Sequence, residues 1–518
     1  MIFKVSMIKN KIFRIFLLLL IVFIFLFSRL QNLTAIPVFG DEAIYIRWSQ
    51  IIKSEETLRF IPQTDGKQPL FMWINAVTIK FFSDPLISGR IVSIFAGLGI
   101  IVVLFLLTAI ILSYNSKEKN IFRFLQQSIR DNFYPSIFTS LIYVLIPFTF
   151  FFDRMALADT LLSFFGVLCL FLVLLLSKFP RLDLSLILGF ALGLAWLTKS
   201  PAIYFVVLSL ATFIFLNWRQ PKLFVLPIIS AIIGFLIYNI LRLGPQFQMI
   251  ALRNKDYIWT IGDILKHPLD PLKPHLINTF EIYRYYLSIP LILFTILSFV
   301  LFIKNKKTDI KNKKYLILLA WWTLPLIANC IFAKVFTARY ILFTLPPLLV
   351  LISIFLFNFF KKIPSNFLKT ILLIAIFIPN LVFMFKLSTN PFTQKLPSSE
   401  HGYLADWTSG WGIKSAYDYL YQRSLVSNVI VGTEGAFGTL PDGLQIYANK
   451  LPHFTIIGVG LGFSQLPANL VDAKNHGDEV YLLINKSRLK LNTIELNKLK
   501  LINSYSKPEN DQLLLFQL

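Results

Sequence analysis

Two adjacent carboxylates, Asp41 and Glu42, follow the first long apolar run of the chain, in Phe39-Gly40-Asp41-Glu42-Ala43-Ile44-Tyr45. Further along, ionisable residues recur at the ends of other apolar runs: Arg47, Lys67, Arg90, Arg154 with Asp159, Lys199, Arg284 and Arg339. The middles of those runs hold almost none. Transporters show their work as charged or broken positions at mid-membrane, often in two matching halves. A ring of carboxylates and cations at one end of the runs suits chemistry at a membrane surface and suits a permeation path poorly. Taken singly, each residue also has a plainer role. An acidic pair in a loop is ordinarily solvated, Lys67 and Lys199 can anchor helices by snorkelling, and Arg154 with Asp159 can be a local ion pair.

The elements that must position these residues follow from composition. The chain has 518 residues, 56% hydrophobic and only 15% charged, with a net charge of +23. Soluble domains carry about 25% charge, and so apolar a chain is not disordered. Cys169 and Cys330 both lie in apolar runs, which excludes a disulfide framework and a Cys-rich zinc site. The class is a polytopic membrane protein. Its excess positive charge sits in short stretches between apolar runs, as the positive-inside rule expects of cytoplasmic loops, so no nucleic-acid partner is expected.

Eleven runs approach the ~20 residues that cross a bilayer: 13–28, 91–113, 133–151, 160–177, 184–198, 201–217, 223–243, 286–303, 315–333, 338–359 and 368–387. The first follows Lys4, Lys9, Lys11 and Arg14, but Ser28-Arg29-Leu30-Gln31 stands where a signal peptide would have a small-residue cleavage site. It reads as an uncleaved anchor. A twelfth stretch, 69–82, is short and carries Lys80. If it lies in the interface without crossing, the N-terminus and the loops 114–132, 178–183, 218–222, 304–314 and 361–369 all fall inside. All six segments are net basic, 178–183 least so, with Lys178 and Arg181 against Asp183. That assignment leaves the loops 29–90, 152–159 and 244–285 outside, with the tail. Residues 1–390 then form a membrane domain, and 391–518 a small extracytoplasmic α/β domain with strand-like runs at 428–432, 454–458 and 480–484. Gly458-Val459-Gly460-Leu461-Gly462 follows one such run, but Phe463-Ser464-Gln465-Leu466-Pro467 opens no helix, as a dinucleotide site requires.

The order and spacing of these residues resemble the GT-C superfamily of polyprenyl-phosphate-sugar glycosyltransferases, in the branch of protein O-mannosyltransferases and lipid A aminoarabinose transferases. The resemblance rests on Asp41-Glu42, Gly66-Lys67-Gln68-Pro69-Leu70 with Trp73, and Gly89-Arg90-Ile91-Val92-Ser93 with Gly97. It continues through Arg154, Leu157 and Asp159, then Gly193, Leu197-Thr198-Lys199 and Pro201, and Arg339-Tyr340 with Pro346. It covers roughly residues 10–390 and is specific as an ordered set. What it implies is a GT-C fold of about eleven transmembrane helices. The implied activity is transfer of a sugar, with inversion, from a polyprenyl phosphate to an acceptor hydroxyl on protein, lipid or glycan.

By the same resemblance Asp41 is the general base, and Glu42 orients the acceptor or binds a metal. Lys67 and Arg90, followed by Arg154, Lys199 and Arg339, hold the donor phosphate. Asp159 holds Arg154 in place, and Tyr45 and Tyr340 support the site. Some relatives use a divalent ion; Glu42 and His267 are the candidate ligands here, and metal dependence stays open. Two other classes remain. One is a carrier or flippase for lipid-linked sugars, and the other is a non-catalytic envelope scaffold. The residues name neither the sugar nor the acceptor.

Overall fold

The computed structural model describes residues 2–304 and 313–518, with side chains from residue 11 onward. Among the described residues, eight helices are long and apolar enough to cross a membrane, or ten if each of two bent pairs is one span. With the shorter apolar helix Leu182–Thr198 they account for all eleven expected runs. The chain is a multi-pass membrane protein. The lysine-rich loop expected over 304–314 falls almost entirely outside the described residues.

Both bends have local causes. Phe133–Leu145 and Pro147–Asp153 meet at 65°, where Pro147 has no N–H to continue the first helix. Leu272–Tyr286 and Ile289–Lys304 meet at 105°, across Ser288 with its φ of +70°. Helices Ala158–Lys178 and Ala338–Lys361 are largely buried and form the centre of the bundle, whereas Pro221–Leu243 exposes most of its apolar surface. That peripheral helix packs tightly on Leu182–Thr198 because Gly189 and Gly193 admit Ile233 and Ile237. A Cβ at Gly193 would stand 2.6 Å from that of Ile237.

The first span, α1 (Ile2–Leu30), leads into α2 (Gly40–Ser54), α3 (Leu70–Thr78) and α4 (Pro85–Ser113). Helix α2 begins with Asp41 and Glu42, whose charges suit the positive end of the helix dipole. Helix α4 begins at Pro85, after Asp84 has capped the Leu86 N–H at 2.8 Å. Helix α3 has nine residues, which is about 13 Å of rise against a hydrocarbon thickness of about 30 Å. It cannot span. Instead it packs between α2, α4 and Leu182–Thr198, forming the floor beneath α2.

The tail folds as a five-stranded sheet of β1 (Val429–Thr433), β2 (Phe454–Gly458), β3 (Glu479–Asn485), β4 (Lys500–Ser506) and β5 (Gln512–Gln517), in the order β2-β1-β3-β5-β4. The first three strands are parallel, and β5 and β4 complete the sheet antiparallel. Helix Ala468–Asn475 opens only after Pro467, well past Gly462. The domain docks directly on the membrane part. Phe39 and Ser409 form an isolated antiparallel bridge, Gly40 N–H donates to the Thr408 carbonyl at 3.1 Å, and Gly410 N–H donates to the Val38 carbonyl at 2.8 Å. Only glycine fits at 410, since a Cβ there would collide with the Val38 carbonyl. Gln50 adds a bond from α2 to the Ile446 carbonyl at 2.7 Å.

Candidate functional site

A cavity of about 400 Å³ opens where α2, the helix Phe247–Tyr257, the extended residue Lys199 after Leu182–Thr198 and the start of the helix bearing Arg339 converge. Asp41, Tyr45, Lys67, Lys199, Arg339 and Tyr340 all line it. Six residues separated by up to 299 positions in sequence thus share one site. The Arg339 guanidinium lies 2.6 Å from Asp41 Oδ2, and Lys67 Nζ lies 4.0 Å from Oδ1. Burial alone would raise the Asp41 carboxyl, but Arg339 and then Lys67 overcome it and hold the group down at about 2. Lys67 is also bonded to Asp65. Its own pKa is raised: burial opposes the charge, and the two carboxylates more than compensate.

Behind Lys67, Asp65 accepts two bonds from Arg253, at 3.0 and 2.7 Å. Gly66 has a φ of +67° and brings the chain so close to Phe247–Tyr257 that a Cβ would stand 2.6 Å from that of Arg253. This left-handed glycine both turns Lys67 into the cavity and seats the outer helix upon it. Lys199 pairs with Asp159 at 2.6 Å and lies 4.6 Å over the Tyr340 ring. Four cations and two carboxylates therefore line the polar half of the cavity. The other half is apolar, with Trp196 stacked on Tyr238 at 4.9 Å and with Tyr204, Phe332 and Val335 nearby. An amphiphile with an anionic head fits both halves.

The remaining expected residues lie elsewhere. Arg90 is fully buried and donates five hydrogen bonds: two to Glu42, at 2.9 and 2.8 Å, and three to the carbonyls of Leu33, Ile36 and Pro37. A guanidinium has five N–H groups, so none is left for a phosphate. Glu42 accepts in addition from Phe39 N–H at 3.0 Å and Ala156 N–H at 2.6 Å. The pair ties α2 to α4 and to the turn after Pro147–Asp153. Arg154 donates to the carbonyls of Ser28, Arg29, Gln31 and Asn32, closing the end of α1. Asp159 holds Lys199 instead of Arg154.

The metal expectation fits poorly. Both Glu42 oxygens are already spent on four donors, and His267 is exposed and faces Asp270 at 3.4 Å. Among the described residues no group of three histidine, cysteine, aspartate or glutamate side chains is arranged to hold a metal ion. Conversely, the cavity includes Asp65, Arg253, Asn254 and Tyr257, to which no site role was given. Asp65 adjoins the Gly66-Lys67 motif and was legible there. Arg253 lies on the helix Phe247–Tyr257, in a stretch of sequence with no distinguishing pattern.

No protein-family model and no curated protein matches the sequence. The fold does have solved counterparts. ArnT from Cupriavidus metallidurans bound to undecaprenyl phosphate superposes with a TM-score of 0.57 at 14% identity, covering 97% of each chain. The apo state of the same protein gives 0.55 at 13%, covering 98% of each. Membrane bundle and tail domain alike are included in that coverage, and this chain accordingly shares the fold of ArnT, in line with the fold that the resemblance of its motifs implied.

Proposed function

We propose that the protein is an inverting glycosyltransferase that moves a sugar from a polyprenyl phosphate to an acceptor hydroxyl at the outer face of the membrane. One observation carries this reading: a carboxylate and three cations, Asp41, Lys67, Lys199 and Arg339, meet in a single cavity whose other half is apolar. The undecaprenyl phosphate bound by ArnT, whose fold is similar, supports the donor class. In the reaction the acceptor oxygen forms a bond to the anomeric carbon as the bond from that carbon to the phosphate oxygen breaks. The electron pair stays on the departing phosphate, where Lys67, Lys199 and Arg339 stabilise charge that grows in the transition state. The acceptor proton passes to Asp41.

The resting ion pairs give this scheme an order. A carboxylate held by Arg339 is a weak base. A donor phosphate competes for Arg339 and Lys67, and as they turn towards it Asp41 loses the charges that depress its pKa. Donor binding would thereby prepare the base. Arg90 and Glu42 support the scaffold without touching the donor.

The test is to incubate membranes containing the protein with several labelled polyprenyl-phosphate sugars and follow the label. Transfer of one label to protein, lipid or glycan is the expected result. A bound donor that never loses its sugar would favour a carrier. The proposed sidedness has its own check in cells: a cysteine placed at 365 should resist a membrane-impermeant thiol reagent, and one at 505 should react. Labelling at 365 from outside would reverse the orientation and put the cavity on the wrong face for this donor.

A further inference from the structure

The tail segment 398–410 grips both partners of the Asp41–Arg339 ion pair, although neither partner belongs to the tail domain. On one side, the backbone bonds from Gly40 to Thr408 and from Gly410 to Val38 fix the residues that lead into Asp41. The Phe39 ring packs on Tyr403 at 4.3 Å. On the other side, Glu400 is fully buried, and its Oε1 accepts the Ala338 N–H at 2.7 Å. That amide is the first of the helix bearing Arg339, and its N-cap, Thr337, gives it no side-chain bond. Glu400 therefore caps this helix from a distant part of the chain.

The segment is itself anchored at several points. Glu281 accepts from Ser398 N–H and Oγ at 3.1 and 2.8 Å. Lys507, which follows β4, donates to the Ser409 carbonyl at 2.6 Å. The clamp thus runs from the sheet through Lys507 to Asp41, and from the helix Leu272–Tyr286 through Ser398 and Glu400 to Arg339.

We infer that the tail domain is a positioning element of the cavity, and that Glu400 is the residue through which it sets Arg339 against Asp41. The inference rests on the donor-site reading of that cavity. It also gives the domain a role, because a separation of 2.6 Å between two groups on different helices needs a rigid brace on each. Burial pushes the Glu400 carboxyl up to about 7; the bond from Ala338 N–H needs an accepting oxygen and no full charge, so Glu400→Gln should substitute for it. Glu400→Ala leaves the Ala338 N–H buried without a partner.

Two readouts on the full-length protein in lipid nanodiscs separate this inference from the function it rests on. The first needs no ligand. Amide hydrogen exchange over 335–345 should quicken by about tenfold or more in Glu400→Ala, as expected for a buried donor that loses its acceptor. It should return near wild type in Glu400→Gln, with exchange over 479–485 in the sheet unchanged in both. Unchanged exchange over 335–345 in Glu400→Ala overturns the inference. The second readout is affinity for undecaprenyl phosphate, expected to fall about tenfold in Glu400→Ala and to recover in Glu400→Gln. Quickened exchange with undiminished affinity overturns the link from Glu400 to the donor site. Failure of the wild-type protein to bind undecaprenyl phosphate sinks the donor reading instead, and the exchange experiment still decides whether Glu400 positions Arg339.

Discussion

Asp41→Asn is expected to transfer sugar at least about a hundred times more slowly than wild type, because general-base catalysis is worth about 10²–10⁴-fold. The substitution keeps the size of the side chain and a hydrogen-bonding oxygen for Arg339, but removes the basic carboxylate. Affinity for undecaprenyl phosphate should not fall, since Arg339 and Lys67 lose a competing anion. The pH dependence is the sharper signature. In the free protein Asp41 is held at about 2 by Arg339 and Lys67. Because kcat/KM reports the free enzyme and kcat the donor complex, Asp41 should give kcat/KM no acid limb above about pH 3. The profile of kcat should show such a limb at higher pH, once the phosphate has drawn the cations away. The sign is that of a carboxylate: the rate falls as pH falls and the base is protonated. An Asp41→Asn enzyme that kept most of its rate, or kept the limb in kcat, would show that another group takes the proton.

Arg90→Ala should act on folding before it acts on turnover. Its five bonds are shared between Glu42 and the three carbonyls of the turn before α2, and both members of the ion pair are fully buried. Removing one member of a buried pair typically costs about 3–5 kcal/mol, because the other is left as an uncompensated charge. The expected result is a large drop in folded yield and melting temperature in detergent. Arg90→Lys should recover little of it, since an ammonium offers three donors where five are used. Lys67→Ala makes the contrast. That side chain is partly exposed in the cavity, so its loss should weaken donor binding and leave the melting temperature near wild type. An Arg90→Ala protein that melted like wild type and failed only to bind undecaprenyl phosphate would return Arg90 to the donor site.

Much of this protein is legible along one dimension. A span is a contiguous run of about twenty apolar residues, so all eleven runs are visible before folding, and every one has a helical counterpart. The strands β1, β2 and β3 are apolar or β-branched runs and were equally visible. By contrast β4, Lys500–Ser506, is a largely exposed edge strand. It needs no apolar face and carries no alternation to read. The membership of the cavity was partly legible too, because Asp41, Lys67, Lys199 and Arg339 stand at successive helix ends, and one end of a bundle is a small place.

The sequence could not separate cations that face the cavity from cations consumed by the scaffold. Gly66-Lys67 and Gly89-Arg90 look alike on the page, and Arg154 stands five residues from Asp159, closer than Lys199 does. Tertiary structure assigns them oppositely: Lys67 lines the cavity, Arg90 closes on Glu42, Arg154 caps α1, and Asp159 turns to Lys199. The reason is physical. A charged group in a low-dielectric interior must spend its hydrogen bonds on whatever partners lie within about 3 Å. Those partners are the carbonyls left open at the end of α1 and in the turn before α2 for the cations, and the amides at 39, 156 and 338 for Glu42 and Glu400. Residue order sets how many charges and donors the chain carries, and only the packed backbone decides which of them remain to meet a substrate.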